Sequence, residues 1–245
     1  MVTNTERIQA NNAELLECIE IAEGLPDDRY SEGYAEGAEA ARKIVDDTVT
    51  EYNDTAILSA RRYAFYYSSI KSVNLPNLTK LGYGVFYSCS NLENASIPKA
   101  TTADGYIFYS CEKLQSIQLP LMTKIPMNMC QYCRGLKSCD LGSATSISAS
   151  AFSNCNRMTI MILRSTTMCT LANTNVFQSC YHILGTTHST YNPNGDHDGY
   201  IYVPSALVDS YKTATNWSTY ASQFRALEDY TVDGTITGAL DESKI

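Results

Sequence analysis

Two short motifs in this 245-residue chain hold residue types able to do chemistry. Cys130-Gln131-Tyr132-Cys133 has the spacing of a zinc-ligating or dithiol pair, because two thiols so placed can share a metal or close a disulfide. Asn194-Gly195-Asp196-His197-Asp198-Gly199 sets three oxygen ligands two apart ahead of a glycine, as the first half of a calcium loop does. The twelfth position of that loop is Ser205, so the bidentate carboxylate is missing. Asn194, Asp196 and Asp198 are weak calcium candidates, with a metal-free turn the stronger reading. His188 and His197 would need a third ligand, which the sequence does not place. There is no Gly-x-Ser-x-Gly, no phosphate-binding loop and no dinucleotide fingerprint. All three histidines fall within 182–197, and the central chain is poor in carboxylates (Glu93, Asp104, Glu112, Asp140), which disfavours a triad or a paired-carboxylate site. No enzyme, metal or cofactor is expected.

The elements that would position these residues are repeats. Phe86-Tyr87-Ser88-Cys89 returns 22 residues later as Phe108-Tyr109-Ser110-Cys111, then as Cys130-Gln131-Tyr132-Cys133 and Phe152-Ser153-Asn154-Cys155. Phe177-Gln178-Ser179-Cys180 follows after 25, and Phe65-Tyr66-Tyr67-Ser68 precedes by 21. A Thr column lies seven residues ahead of the Phe column at Thr79, Thr101, Thr123, Thr145 and Thr170. After each Cys comes a phrase such as Leu114, Ile117, Leu119, and Pro76, Pro98 and Pro120 close the first three phrases. Alternation in Ile117-Gln118-Leu119 marks a half-buried strand, and proline suits a strand end because it cannot donate to a ladder. One such unit cannot cover its own apolar face, so units must stack about 4.8 Å apart, like residue on like. Register therefore places Cys130 and Cys133 in core columns as small hydrophobes. Cys139 falls in the strand column and Cys18 on a helical stripe, which predicts reduced thiols rather than a metal site.

Phe108-Tyr109-Ser110-Cys111-Glu112-Lys113-Leu114-Gln115-Ser116-Ile117-Gln118-Leu119-Pro120 resembles the repeat of the BspA-like leucine-rich-repeat family, and the resemblance covers roughly 65–204. It implies a β-rich leucine-rich-repeat solenoid of about 22-residue coils with parallel strands, and a non-enzymatic surface or adhesion role. Cys130 in the Phe column, Gly142 and Arg164 in the Pro column, and the missing export signal depart from the pattern. The head, 5–15, and the tail, 227–235, resemble the termini of tail-associated proteins from phages and prophages of gut bacteria.

Charge divides the chain the same way. Residues 1–54 hold 14 acids and 4 bases, whereas the rest hold 12 and 14, so the net −8 is an acidic head on a near-neutral body. The head is expected to be helical over 4–24, where Ile8, Leu15 and Ala22 recur every seven, and again from Ser31 to about Asp47. It either packs on its own body or forms a short coiled coil that attaches or trimerises the protein. No basic face exists for nucleic acid, no apolar run is long enough to span a membrane, and the start lacks a secretory signal, so the expected location is the virion (phage tail) or the bacterial surface, with the protein cytoplasmic at synthesis. The solenoid is expected over 55–204, with 185–199 as an insertion. A helical cap and hairpin follow over 205–245, with one helix from Ser205 to about Thr213 and another carrying Trp217, Tyr220 and Phe224.

Two faces could bind. Polar strand residues Lys71, Asn74, Glu93, Ser96, Gln115, Gln118, Lys137 and Asp140 should tile one side of the stack. Tyrosines of the turns, chiefly Tyr66, Tyr87, Tyr109 and Tyr132, offer large area at low entropy cost plus a hydroxyl. The expected function is recognition of a protein or polysaccharide on a bacterial surface, with other tail proteins bound through the head. A structural virion part or a bacterial interaction scaffold is the alternative.

Overall fold

The computed structural model describes residues 50–195, 198–232, 235 and 236. The helices expected in the head lie outside these residues, as do Cys18, Asp196 and His197.

Each coil contributes a three-residue strand, a tight corner, a two-residue strand and a wide turn. The long strands are Glu51–Asn53, Ser72–Asn74, Asn94–Ser96, Ser116–Gln118, Ser138–Asp140 and Ile160–Ile162, numbered here as coils 1 to 6. Their short partners are Ser59–Ala60, Lys80–Leu81, Thr102–Ala103, Lys124–Ile125, Ser146–Ile147 and Thr170–Leu171. Tyr200–Val203 supplies the long strand of a seventh coil. Like pairs with like in parallel register: Val73 faces Tyr52 and Ala95, and Cys139 faces Ile117 and Met161. The middle residue of nearly every long strand points inward, and it joins the Leu, Phe and Cys columns in one continuous core. The solenoid begins earlier than the 55 read from the sequence, because Glu51–Asn53 already pairs with coil 2.

The sheets divide at one place. Coils 1–3 form a three-stranded sheet on each side, and the remaining strands form a five-stranded sheet and a three-stranded sheet. Two sequence features coincide at this step from coil 3 to coil 4. Gly82, Asp104, Ser148 and Ala172 each donate N–H to the preceding coil, but the equivalent residue of coil 4 is Pro126, which has no N–H. Coil 3 is also thin, with Ala95, Ala100 and Ala103 where coil 4 carries Ile117, Met122 and Ile125. The turn ladder crosses the step intact, through Tyr106 N–H to Met127 O at 3.1 Å, Phe108 to Met129 at 2.7 Å and Ser110 to Gln131 at 2.8 Å.

The far end is closed differently from the expectation. Trp217 and Phe224 flank a 3-10 segment, Ser218–Gln223, and Phe224–Ala226 is a strand that extends the long sheet beside Tyr200–Val203. A strand edge presents a row of unpaired backbone groups, and another strand satisfies them better than a helix can. The short-strand edge is closed by side chains instead. Trp217 Nε1 donates to Cys169 O at 2.7 Å, Asn216 Nδ2 to Leu171 O at 2.7 Å and Tyr220 OH to Thr174 O at 2.8 Å, while Tyr211 OH accepts from Cys169 N at 2.7 Å. Ser205 opens a 3-10 turn, Ser205–Leu207, ahead of the helix Val208–Thr213, and its N–H and hydroxyl both bond Glu228. The hairpin forms as Thr231–Val232 against Thr235–Ile236.

Candidate functional site

The wide turns build the candidate site. Five of the six turns pass twice through left-handed backbone, two residues before and two after the Phe column, and the turn at Phe177 passes once, after it. The first position holds Tyr63, Gly84, Tyr106, Asn128 and Ser150, and the second holds Tyr67, Ser88, Ser110, Tyr132, Asn154 and Ser179. Glycine, asparagine and serine meet this requirement cheaply in other coils. Tyrosine carries the Cβ clash of any non-glycine residue and has neither the short polar side chain that lets asparagine bond its own backbone nor the small size of serine. Four tyrosines are nonetheless held there, at a cost on the order of 1 kcal/mol or more each. Gly84 has a second reason to lack a side chain, since a Cβ there would lie 2.5 Å from the Tyr63 ring.

Between these two positions the chain alternates inward and outward. The inward residues Phe65, Phe86 and Phe108 stack at 5.1 and 5.2 Å, buried. The outward residues Tyr66, Tyr87 and Tyr109 form a second stack at 5.3 and 4.6 Å. Tyr63, Tyr83 and Tyr106 run alongside, joined to it by Tyr63–Tyr66 at 5.3 Å and Tyr106–Tyr109 at 5.5 Å. Tyr67 is the most open at 43% exposure, and Tyr132 ends the row edge-on to Tyr109 at 5.4 Å. Eight tyrosines thus share one ring network over coils 1–4. Arg62 lies over it, 5.2 Å from the Tyr83 ring. Partial burial, reinforced by neighbouring phenols, pushes Tyr87 up to about 12 and raises Tyr83 and Tyr109, so these hydroxyls stay protonated donors at neutral pH.

The structure therefore brings together all four turn tyrosines singled out in the sequence. Tyr132 is displaced by one position, matching Tyr67 rather than Tyr66. Sequence reasoning missed Tyr63 and Arg62; the signal for Tyr63 was its register with Gly84 and Tyr106.

The cysteine column lies immediately inside. Cys89, Cys111, Cys133, Cys155 and Cys180 donate S–H to the carbonyls of Phe65, Phe86, Phe108, Cys130 and Phe152, one coil back, at 2.7 to 3.1 Å. They are more than small hydrophobes, because each ties its turn to the preceding one. All eight cysteines among the described residues are free and buried. Burial drives the Cys89 and Cys180 thiols up to about 12 and raises Cys130, so these three stay protonated at neutral pH.

The strand face is less uniform than the sequence suggested. Lys71, Asn74, Ser96, Gln115, Gln118 and Lys137 are exposed and Glu93 is half-buried. Asp140 is not an open position. Arg164 pairs with it, Nη2 to Oδ2 at 2.8 Å, and both side chains are mostly covered. Arg164 stands where the repeat has proline, so this departure from the pattern acquired a structural role. Gly142, the other departure, lets the chain pass Pro120, whose carbonyl oxygen a Cβ would meet at 2.3 Å. In the insertion, Asp198 lies 2.6 Å from His182 Nδ1, Asn194 is exposed, and His188 packs between Tyr181 and Tyr191.

A stack of parallel two-strand coils with a Phe–Cys turn and an inward Leu–Ile–Leu phrase defines a leucine-rich-repeat solenoid. The family model described as BspA type leucine rich repeat region matches six copies over residues 59–184, just over half the chain, and the chain belongs to that family. Repeats of this family suggest a protein-interaction or adhesion module, of a type that is typically non-enzymatic and often surface-associated. A leucine-rich repeat protein from Eubacterium ventriosum is similar in structure, with 17% identity, a TM-score of 0.48, and coverage of 54% of this chain and 43% of that one. The chain thus spans less than half the length of that protein. No curated protein matches. Among the described residues, no helix is long and apolar enough to cross a membrane.

Proposed function

We propose that the protein is a phage or prophage tail-associated recognition module that contacts a protein or glycan on a bacterial surface through its tyrosine-lined turns. The observation that carries this reading is backbone strain in the service of surface: four tyrosines occupy left-handed positions that Gly, Asn and Ser fill elsewhere. Strain of this kind persists where a side chain is needed for something other than stability. Tyrosine and arginine together are the composition of recognition surfaces. The exposed strand residues Lys71, Asn74, Gln115, Gln118 and Lys137 give a second contact row. The acidic head serves attachment to other tail proteins, a role supported by its separate charge and by the resemblance of both termini to tail proteins.

Co-sedimentation of the full-length protein with isolated cell walls of gut bacteria tests the reading. Retention is expected for the natural chain, with loss in the Tyr87→Ala, Tyr109→Ala double variant. Equal retention of both would refute the turn-face assignment. A gene neighbourhood without tail or baseplate genes would refute the phage assignment and leave a bacterial interaction scaffold. Binding to virion proteins alone would make it a structural component.

A further inference from the structure

A stack of coils has two terminal faces, and each exposes one side of the core unless something closes it. The far face is closed by the strand Phe224–Ala226 and the aromatic residues around Trp217. At the near face both sheets stop at coil 1. Glu51–Asn53 and Ser59–Ala60 are edge strands, each paired only with coil 2 among the described residues. One side of the Phe65 ring stacks on Phe86 of coil 2 at 5.1 Å, so its other side is turned away from the stack. Tyr52 meets the same ring edge-on at 5.1 Å. Phe65 is nonetheless only 5% exposed, Tyr52 8% and Ala64 8%. Burial to this degree in a terminal coil calls for a cover.

The segment that leads directly into coil 1 has the properties of one. Ile8, Leu15, Cys18, Ile19 and Ala22 share one stripe at helical spacing, an apolar face that needs a surface to bury it. Charge points the same way. Residues 1–49 carry twelve acids and four bases, whereas 55–137 carry nine bases and three acids. Arg61 and Arg62 are exposed on the rim of the near face, where Ser59–Ala60 leads into the first turn, and 55–70 contains no acid. The nearby Asp54 is engaged by the Ala56 and Ile57 amides. Because the segment is tethered at Thr50, its contact with coil 1 is intramolecular, which favours it over the same contact from a second copy. We propose that residues 1–49 cap the solenoid, with the apolar stripe laid over Tyr52, Ala64 and Phe65 and the carboxylates set against Arg61 and Arg62. The cap leaves the outer acidic face of the segment for attachment, and it is independent of what the turns recognise.

Two measurements on the full-length protein test the cap. The Tyr63, Phe65 and Tyr67 amides donate to Tyr83, Val85 and Tyr87 of coil 2, and they fray if the near face opens. The double variant R61E/R62E should speed their hydrogen exchange about tenfold at low salt, with the Cys130 and Tyr132 amides unchanged as the control. The difference should vanish at about 0.5 M salt, where charges are screened within a few ångströms. Unchanged exchange, or acceleration that persists in salt, would overturn the proposal. In the second measurement, R61K and R62K keep the charge and supply an amine for carbodiimide coupling. Peptide mass spectrometry should then find position 61 or 62 joined to a carboxylate of residues 1–49 in protein of monomer mass. Cross-links confined to dimers would overturn the cap in favour of a second copy's head, and no cross-link to 1–49 would overturn it outright.

Discussion

The two ends of the solenoid use aromatic residues in opposite ways. In the closing end, Phe177, Tyr211, Trp217, Tyr220 and Phe224 form one buried cluster, and each polar ring atom meets a named backbone group of the last coils. In coils 1–3 the tyrosines lie on the outside of the turns and meet chiefly each other. Residues of the same type therefore do different jobs according to what their hydroxyls touch. A hydroxyl matched to a backbone atom completes the fold, whereas hydroxyls matched to one another, as Tyr83 is to Tyr63 and Tyr106, knit a layer on the outside of the turns. The step between coils 3 and 4 separates the two regimes, since the strand ladders are divided there and the tyrosine network ends one coil beyond it, at Tyr132.

The largest expected effect is in the closing end. Trp217→Ala removes a side chain that is 1% exposed and leaves Cys169 O without its indole donor. A loss of about 3–5 kcal/mol follows from the cavity alone. Urea unfolding followed by circular dichroism measures it. A loss below about 1 kcal/mol would mean that the aromatic cluster merely decorates the last coil, and the contrast between the ends would collapse. The step between the halves comes next in size. Thr145 and Lys137 donate to Thr123 and Gln115 across the following step at 2.8 Å. Their counterparts in coil 4, Thr123 and Gln115, face the divided ladder. Their amides should exchange about tenfold faster than those of Thr145 and Lys137, equivalent to about 1.4 kcal/mol in local opening. Equal protection in native-state hydrogen exchange would show one uniform rod.

Much of this architecture was legible in the sequence, because repetition turns a weak local signal into a column. The phrase Leu114, Ile117, Leu119 is short, yet five registered copies specify parallel strands and the inward direction of each Cys. What was lost is what depends on the neighbouring coil. The S–H bonds run to the carbonyl of another turn, and nothing within a 22-residue unit shows that carbonyl. Asp140 looked open because Arg164, its partner, belongs to the next coil. Trp217, Tyr220 and Phe224 have helical spacing, but the unpaired edge of Tyr200–Val203 draws Phe224 into a strand. In the turns, four tyrosines adopt backbone angles that propensity assigns to glycine or asparagine. Departures of that kind are expected where function competes with local preference.

That competition gives the smallest effect and the sharpest, because its sign is reversed. Tyr67 is in left-handed backbone at φ 55° and is 43% exposed, so its ring contributes little burial to set against its strain. Coil 5 carries Asn154 at the same turn position with φ 62°. Asparagine tolerates this region because its short polar side chain can hydrogen-bond the local backbone and offset the Cβ clash. Tyr67→Asn should therefore raise stability by about 0.5–1 kcal/mol in urea unfolding while weakening retention on cell walls. A variant both more stable and fully retained would show that the strained ring serves neither fold nor ligand. A variant that loses stability would place Tyr67 with the structural aromatics of the closing end, and the boundary between the two regimes would move into coil 1. Gain of stability with loss of binding is the outcome that only a surface kept for recognition produces.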